Sequence, residues 1–135
     1  MTQINETITI DADPDRVWAV AGDVANIADW LPALASSSVD GDQRSCTTVE
    51  GADLTERIVE RNDAERYYVY EITDSPMPVS SYRSVLSVSG HDGHAHVAWS
   101  AEMEPAGDAS VDELEQTFKQ IYREGLENLR DRVQA

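Results

Sequence analysis

Hydrophobic and polar residues alternate along much of this 135-residue chain. A period of two residues is typical of β-strands that bury one face. Turn-forming residues interrupt the alternation at short intervals, which indicates an antiparallel meander rather than strands joined by helices. The predicted strands are Gln3 to Ile10, Ser37 to Val39, Arg44 to Glu50, Leu54 to Glu60, Arg66 to Thr73, Ser80 to Val88 and His96 to Met103.

Helices are predicted after the first strand and at the end of the chain. Asp13 as N-cap and Pro14 as first helical residue begin a short helix that ends near Gly22. The segment NIADWLPAL predicts a second short helix, which its proline closes. Ser110 and Glu113 have capping-box spacing and begin a helix of about six turns. Its apolar stripe comprises Leu114, Phe118, Ile121, Tyr122, Leu126, Leu129 and Val133.

These elements predict an α+β fold in one domain that spans residues 1–135. The sheet and the long helix each have one apolar face. A single antiparallel sheet with the helix across its concave face buries both surfaces. The sequence therefore predicts seven strands around a long C-terminal helix, with two short helices after the first strand.

The stretch DLTERIVERND places a carboxylate on the apolar face of its strand. Glu56 shares this face with Ile58, whereas Arg57 and Arg61 lie on the other. A buried carboxylate requires a partner, a ligand or a raised pKa. Arg83 is also expected to point outward, so no basic side chain of the central strands is expected to line the interior. A carboxylate ligand would then be uncompensated beside Glu56, and a neutral or cationic ligand is predicted.

The same parity collects aromatic and polar side chains on the face that the last helix covers. They form either an ordinary core with satisfied hydroxyl groups or the lining of a ligand cavity. Parity alone does not choose between the two. The candidate ligand-binding residues are Glu56, Ile58, Tyr68, Tyr70, Ile72, Tyr82, Ser84, Leu86, Trp99, Phe118 and Tyr122.

The charge of the chain restricts its partners. The formal net charge is −16, with 26 acidic residues against ten basic ones. Nucleic acids and anionic membranes require a basic surface, so small molecules or proteins are the expected partners. A single lysine beside nine arginines resembles proteins of a salt-rich cytoplasm, or an acidic protein of a GC-rich bacterium. A melting temperature that is equal in dilute buffer and in molar KCl would contradict the halophile hypothesis.

Other functional signals are sparse. No signal peptide or membrane insertion is predicted, so the protein is expected in the cytoplasm. Cys46 is the one cysteine and cannot form an internal disulfide. His91, His94 and His96 lie at a predicted hairpin tip, where a solvated turn is favoured over a chance zinc or nickel site. No functional metal site and no cofactor are predicted.

Four segments in order resemble the START-related SRPBCC superfamily, which includes the birch pollen allergen. They are DPDRVWAVAGDVANIADWLPAL, LTERIVERNDAERYYVYEI, PVSSYRSVLSV and VAWSAEMEP. Within this superfamily the chain is most similar to the polyketide cyclase/dehydrase-like branch. The resemblance implies a helix-grip fold, in which a curved seven-stranded sheet wraps around the C-terminal helix. It also implies a hydrophobic cavity for a lipid, a hormone, a polyketide or a similar molecule.

The middle of the chain is also similar to the plant abscisic acid receptors of this superfamily. This similarity implies that Glu56, Tyr70, Ile72, Tyr82, Phe118 and Tyr122 occupy cavity positions. Ala35 stands where the receptors have the lysine that pairs with the hormone, and the turn EGAD lacks their gate-loop motif. Hormone perception of that kind is therefore not expected.

Three hypotheses for function remain open. The first is a binding or carrier protein for a small hydrophobic molecule. The second is a polyketide cyclase or dehydratase, in which Glu56 moves a proton and Tyr70 or Tyr82 stabilises an enolate. The absence of a clear nucleophile or metal set counts against an enzyme. The third is a protein-interaction module, similar to chaperone activators, that uses the acidic surface. Either a monomer or a homodimer is expected.

Overall fold

The computed structural model of the protein describes residues 2–134. Seven strands form one antiparallel sheet. The strands are β1 (Thr2–Ile10), β2 (Leu34–Asp40), β3 (Gln43–Thr48), β4 (Asp53–Asn62), β5 (Tyr67–Asp74), β6 (Val79–His91) and β7 (His94–Pro105). Their order in the sheet is β1-β7-β6-β5-β4-β3-β2, so every neighbouring pair except β1 and β7 is also consecutive along the chain.

Three helical segments complete the fold. They are α1 (Pro14–Ala21), a 3₁₀ helix (Val24–Asp29) and α2 (Val111–Gln134). The Asp13 carboxylate accepts a hydrogen bond from the Asp15 backbone N–H at 2.8 Å, as expected for an N-cap. No helix in residues 2–134 is long and apolar enough to cross a membrane.

The order and type of these elements confirm the predicted α+β helix-grip fold, with differences at the ends of elements. The second short helix is a 3₁₀ helix that ends before Trp30, rather than an α-helix across the whole predicted segment. Strands β6 and β7 extend to His91 and His94 and are joined by a two-residue turn. Asp92 and Gly93 both have positive φ values, 52° and 81°, as a type I′ hairpin turn requires.

Helix α2 lies against β1 and β7 on the concave face of the sheet. Its C-terminal half buries three aliphatic side chains in the main core. Gly125 permits the close approach, because a Cβ atom there would lie 2.6 Å from Leu31 Cδ1 and 3.2 Å from Trp99. The buried side chains of this half are Leu126, Leu129 and Val133.

Candidate ligand-binding site

A cavity lies between the sheet and the N-terminal half of α2. The cavity has a volume of about 80 Å³. This volume is below the roughly 300–1,000 Å³ that ligand pockets typically enclose. The wall is mostly apolar, and Glu56 is its one charged side chain among the described residues.

Seven of the eleven candidate ligand-binding residues lie on the cavity wall. They come from four strands and the helix, which the curvature of the sheet brings together. Glu56 is only 5% exposed, so the predicted inward orientation of this carboxylate is confirmed. The seven are Glu56, Tyr70, Ile72, Tyr82, Trp99, Phe118 and Tyr122.

The other four candidates are not part of the wall. Ile58 precedes a register shift between β4 and β5 and lies in a shallow outer groove. Tyr68 is buried against Trp18, with ring centroids 6.3 Å apart. Leu86 and Ser84 are fully buried in β6, where Ser84 supports wall residues from behind. The alternation predicted the correct face for the buried residues, but the cavity occupies only part of that face.

The remaining wall residues were not candidates in the sequence. Most belong to segments without regular alternation, namely the chain around the 3₁₀ helix and the loop before β6. Apolar side chains in these segments were the available signal, but they do not show which way the backbone turns. These wall residues are Ile27, Leu31, Ala33, Leu34, Thr48, Leu54, Ser75, Pro76, Met77 and Ile121.

Behind the wall, Glu56 is paired with a buried arginine. Arg44 Nε donates to Glu56 Oε1 at 2.6 Å, and Arg44 is 0% exposed. Arg44 Nη1 donates to the Val24 carbonyl and to the Tyr68 hydroxyl, both at 3.1 Å. The guanidinium carbon also lies 4.8 Å from the centre of the Tyr70 ring, within cation–π range. The cation thus joins the sheet to the 3₁₀ helix.

This arginine corrects the charge balance that the sequence suggested. Arg57, Arg61 and Arg83 are exposed, as predicted. However, Arg44 stands directly opposite Glu56 in the β3–β4 pair, so both side chains enter the same face. The expectation that Glu56 lacks compensation was therefore wrong. A cationic ligand is therefore no longer favoured over a neutral one, because Arg44 already supplies the positive charge that balances Glu56.

The arginine and its neighbours are held in defined protonation states. Burial acts to lower the pKa of Arg44, but Tyr68 and Glu56 outweigh it and raise that pKa above its ordinary value. Arg44 therefore remains a cation. Burial, followed by the charge of Glu56, raises the pKa of the Cys46 thiol to about 12. Cys46 is consequently a neutral thiol and not an activated nucleophile.

A second polar group lies at the aromatic side of the cavity. Ser84 Oγ donates to the Ser100 carbonyl at 2.8 Å, so its neighbour Tyr122, at 2.9 Å, must donate to it. Tyr122 then accepts from Tyr70 across 3.4 Å. Trp99 Nε1 lies 3.1 Å from Ser84 and 3.2 Å from Tyr70 and donates to both oxygens. Wall residues in this group largely satisfy one another.

The tyrosines of the wall are held as neutral phenols. Burial raises the pKa of Tyr70, and the nearby charge of Glu56 adds to the effect. Burial also raises the pKa of Tyr82 well above its ordinary value, with Tyr70 as the next cause. Both side chains therefore act as hydrogen-bonding groups rather than as bases.

The histidines at the hairpin tip lie outside this site. His94 Nδ1 is 3.2 Å from Asp11 Oδ1, and His91 Nε2 is 3.2 Å from Asp92 Oδ2. All of these side chains are largely exposed to solvent. Across residues 2–134, no three His, Cys, Asp or Glu side chains are grouped to hold a metal ion.

Comparison with known protein families identifies the family of this chain. The family described as "Polyketide cyclase / dehydrase and lipid transport" matches residues 1–134. The protein belongs to this family. The assignment confirms the resemblance to the START-related superfamily and to its polyketide cyclase/dehydrase-like branch. A search of curated proteins found no match.

Solved structures agree with the family assignment. The protein XoxI from Bacillus cereus is 32% identical over 98% of this chain and 96% of its own, with a TM-score of 0.94. The allergen Ara h 8.0201 is 20% identical over 98% of this chain and 97% of its own, with a TM-score of 0.78. The di-domain ARO/CYC BexL, of the BE-7585A biosynthetic pathway, is 20% identical over 99% of this chain and 47% of its own, with a TM-score of 0.85. The last two likenesses show the fold alone.

Proposed function

We propose that this protein binds a small, neutral, hydrophobic molecule in the cavity between the sheet and α2. The observation that carries the proposal is the pairing of Glu56, the one charged side chain of the described wall, with Arg44 behind it. The site is therefore apolar with a neutral polar end. Such sites bind through apolar contact, while a few polar groups orient the ligand.

The distribution of charge favours a neutral ligand over an anion. An anionic group in the cavity would meet the Glu56 carboxylate before it met Arg44, which is not part of the wall. Repulsion at short range and low dielectric is costly. A cation would attract Glu56 but also approach the Arg44 charge. Neutral molecules avoid both penalties.

Entry is proposed on the side of the loop before β6. Pro76 and Ile121 line the cavity, and neither is fully buried. A ligand larger than the present space would displace this loop or the chain around Leu31, because the strands on the opposite side are fixed by sheet hydrogen bonds.

Dye binding to matched variants tests the proposal. The neutral dye N-phenylnaphthylamine is expected to bind the protein and fluoresce more strongly, and Ile72→Trp is expected to weaken this binding about tenfold or more by filling the cavity. Val49→Trp is the control, because Val49 is 64% exposed and outside the cavity. Equal binding by both variants would place the dye elsewhere and refute the proposal. Native mass spectrometry of the purified protein then identifies any retained ligand.

A cyclase or dehydratase is the second candidate. It is favoured by the presence of Glu56, Tyr70 and Tyr82 around one cavity, where a neutral tyrosine such as Tyr82 would donate a hydrogen bond to a developing enolate. If the protein is such an enzyme, Glu56→Gln should abolish turnover of a polyketide-like substrate and change its pH dependence while dye binding persists. Unchanged turnover in Glu56→Gln would exclude Glu56 as the acid or base.

The other expectations from the sequence stay predictions. Use of the acidic surface by a protein partner is tested by a pull-down, and cytoplasmic location by fractionation. A choice between monomer and homodimer is made by light scattering. Neither binding nor catalysis in the cavity depends on these outcomes.

A further inference from the structure

One oxygen of the Glu56 carboxylate has no hydrogen-bond donor among residues 2–134. Its Oε1 atom accepts from Arg44 Nε at 2.6 Å and lies 3.9 Å from Cys46 Sγ. Its Oε2 atom accepts from none of the described groups. The unpartnered polar atoms that are sealed from accessible space are Trp30 Nε1 and Arg44 Nη2, so Oε2 is not one of them. The Glu56 carboxylate therefore has one oxygen that a further group can reach.

This oxygen is reached through the cavity. Glu56 lines the cavity together with Leu54, two residues earlier on the same strand face, and Ile72, which stands opposite Glu56 in β5. The Glu56 side chain is 7% exposed, whereas that of Arg44 is 0% exposed and is not part of the wall. A ligand in the cavity thus meets the second carboxylate oxygen of Glu56 and not the guanidinium behind it.

The chemistry of a carboxylate oxygen decides which ligand group fits beside it. Such an oxygen only accepts hydrogen bonds, and among apolar side chains it is costly to leave without a donor. An ether or ketone oxygen has only lone pairs to present to it. A protonated amine would bring a second cation to a carboxylate that Arg44 already balances, and it would lose its own hydration. A neutral O–H or N–H group supplies the donor without a charge.

We propose that the neutral ligand carries a hydroxyl or N–H group that donates a hydrogen bond to Glu56 Oε2. This inference rests on the proposed function and adds the chemical class of the ligand to it. Because the acceptor belongs to an ion pair, this hydrogen bond is stronger than one between neutral groups. Molecules of the same size that only accept hydrogen bonds, or that have no polar group, should bind more weakly.

The order of ligand affinities distinguishes this site from a purely apolar cavity. A purely apolar cavity binds toluene more tightly than phenol, because the phenol hydroxyl loses its hydrogen bonds to water and gains none. A hydrogen bond to Oε2 reverses this order, since a bond to a charged acceptor outweighs the greater hydrophobicity of the methyl group. The dissociation constant of phenol is therefore expected to be about fivefold or more below that of toluene.

Titration with phenol, toluene and anisole tests the inference, and each probe has a single benzene ring because the cavity is small. Binding is followed by NMR through the indole N–H signal of Trp99, which lines the cavity, with Trp18 outside it as the reference. Phenol should bind most tightly, and anisole, which only accepts hydrogen bonds, no more tightly than toluene. Toluene or anisole binding as tightly as phenol would overturn the inference while leaving the proposed function standing. If no probe binds, the proposed function and the inference fail together.

A double variant locates the acceptor. Arg44→Met together with Glu56→Leu replaces the ion pair by apolar side chains of similar size, which proteins often tolerate. In this variant toluene should bind more tightly than phenol. The matched control is Arg57→Met with Glu71→Leu, because these residues also stand opposite each other in neighbouring strands but lie outside the cavity, and it should keep the preference for phenol. A preference for phenol that survives the loss of Arg44 and Glu56 would overturn the inference. The order of the three probes on the unaltered protein decides the question even if the double variant does not fold.

Discussion

The two halves of α2 cover the same sheet in different ways. The N-terminal half presents Phe118 and Tyr122 to a cavity, whereas the C-terminal half buries Leu126 and Leu129 in a core. Gly125 lies where the two halves meet, and Leu31 and Trp99 occupy the space beside it. One apolar stripe thus contains both a filled region and a hollow one. The aliphatic half stabilises the fold through close packing. The aromatic half borders empty space and lacks packing contacts that a bound ligand can supply.

Polarity also separates the two regions. The cavity end contains the buried Arg44–Glu56 pair and the hydrogen-bonded group around Ser84. By contrast, the buried side chains of the C-terminal half of α2 are aliphatic. Stability at the cavity end therefore depends on charge and protonation, whereas stability at the filled end depends on volume.

The largest expected effect is at the cavity end. Arg44→Met leaves the Glu56 carboxylate buried without its cation, which should lower the free energy of unfolding by about 3–5 kcal/mol. Arg57→Met is the matched control on the exposed face, with an expected change within about 0.5 kcal/mol. Urea unfolding at neutral pH measures both. Equal small losses would mean that the charge of Glu56 is well solvated and that this end is not charge-dependent.

Shortening one side chain in each half of α2 tests whether one half is tightly packed and the other borders a cavity. Leu129 is 0% exposed in the filled region, so Leu129→Ala should cost about 2–5 kcal/mol by creating a new cavity. Ile121 is partly exposed and borders a space that already exists, so Ile121→Ala should cost about 1 kcal/mol. Thermal and urea unfolding give both values. A larger loss at Ile121 would contradict the assignment of the hollow and filled halves.

Alkaline pH should destabilise the cavity end selectively. The pKa of Cys46 is raised from 9.0 to about 12, and that of Tyr82 is raised well above 10.0, in both cases chiefly by burial. Above these ordinary values the unfolded chain releases protons that the folded chain retains, so stability is complete at lower pH and falls as pH rises. Each such group contributes a slope of about 1.4 kcal/mol per pH unit. Tyr82→Phe should flatten the stability profile above pH 10.0, and an unchanged slope would show that Tyr82 titrates normally.

The smallest effect is expected at the boundary. Gly125→Ala gains about 1 kcal/mol of helix propensity but forces Leu31 away from the new methyl group, at a packing cost of about 1–3 kcal/mol. A net loss of about 1 kcal/mol is expected. Leu31 also lines the cavity, so dye affinity should fall at the same time. A stabilised variant with unchanged affinity would show that Leu31 moves freely away from the helix.

The strand pattern of this fold was readable from the sequence because alternating burial is local. β6 and β7 follow the predicted parity closely, and the apolar stripe of α2 is buried as expected except for the partly exposed Ile121. β5 departs from it, because Val69 is buried between Tyr68 and Tyr70. At the sheet edge the pattern was weaker. β2 extends over Leu34–Asp40, beyond the predicted Ser37 to Val39, because three consecutive serines carry no alternation. The 3₁₀ helix was placed too far along the chain because Trp30 and Leu31, which follow it, look like helical core residues.

The site was less predictable, because it depends on pairing between strands. Arg44 occurs in the polar stretch DGDQRSCTTVE, where arginine is typical of a solvated strand. Its position opposite Glu56 follows only from a β3–β4 register centred on residue 50. A hairpin built symmetrically around the EGAD turn, residues 50–53, would instead have paired Arg44 with Val59, so the turn residues alone did not reveal the pair. The extent of the cavity along the sheet has no comparable local signal, which is why Tyr68 and Leu86 were expected on its wall.

The pairing of Arg44 with Glu56 has a consequence for the history of the family. A chain that loses either residue alone passes through a costly intermediate with one buried, uncompensated charge, whereas loss of both together is tolerated. The two positions should therefore change in concert among descendants of a common ancestor. Relatives should fall into two groups, one with arginine and glutamate together and one with two uncharged residues.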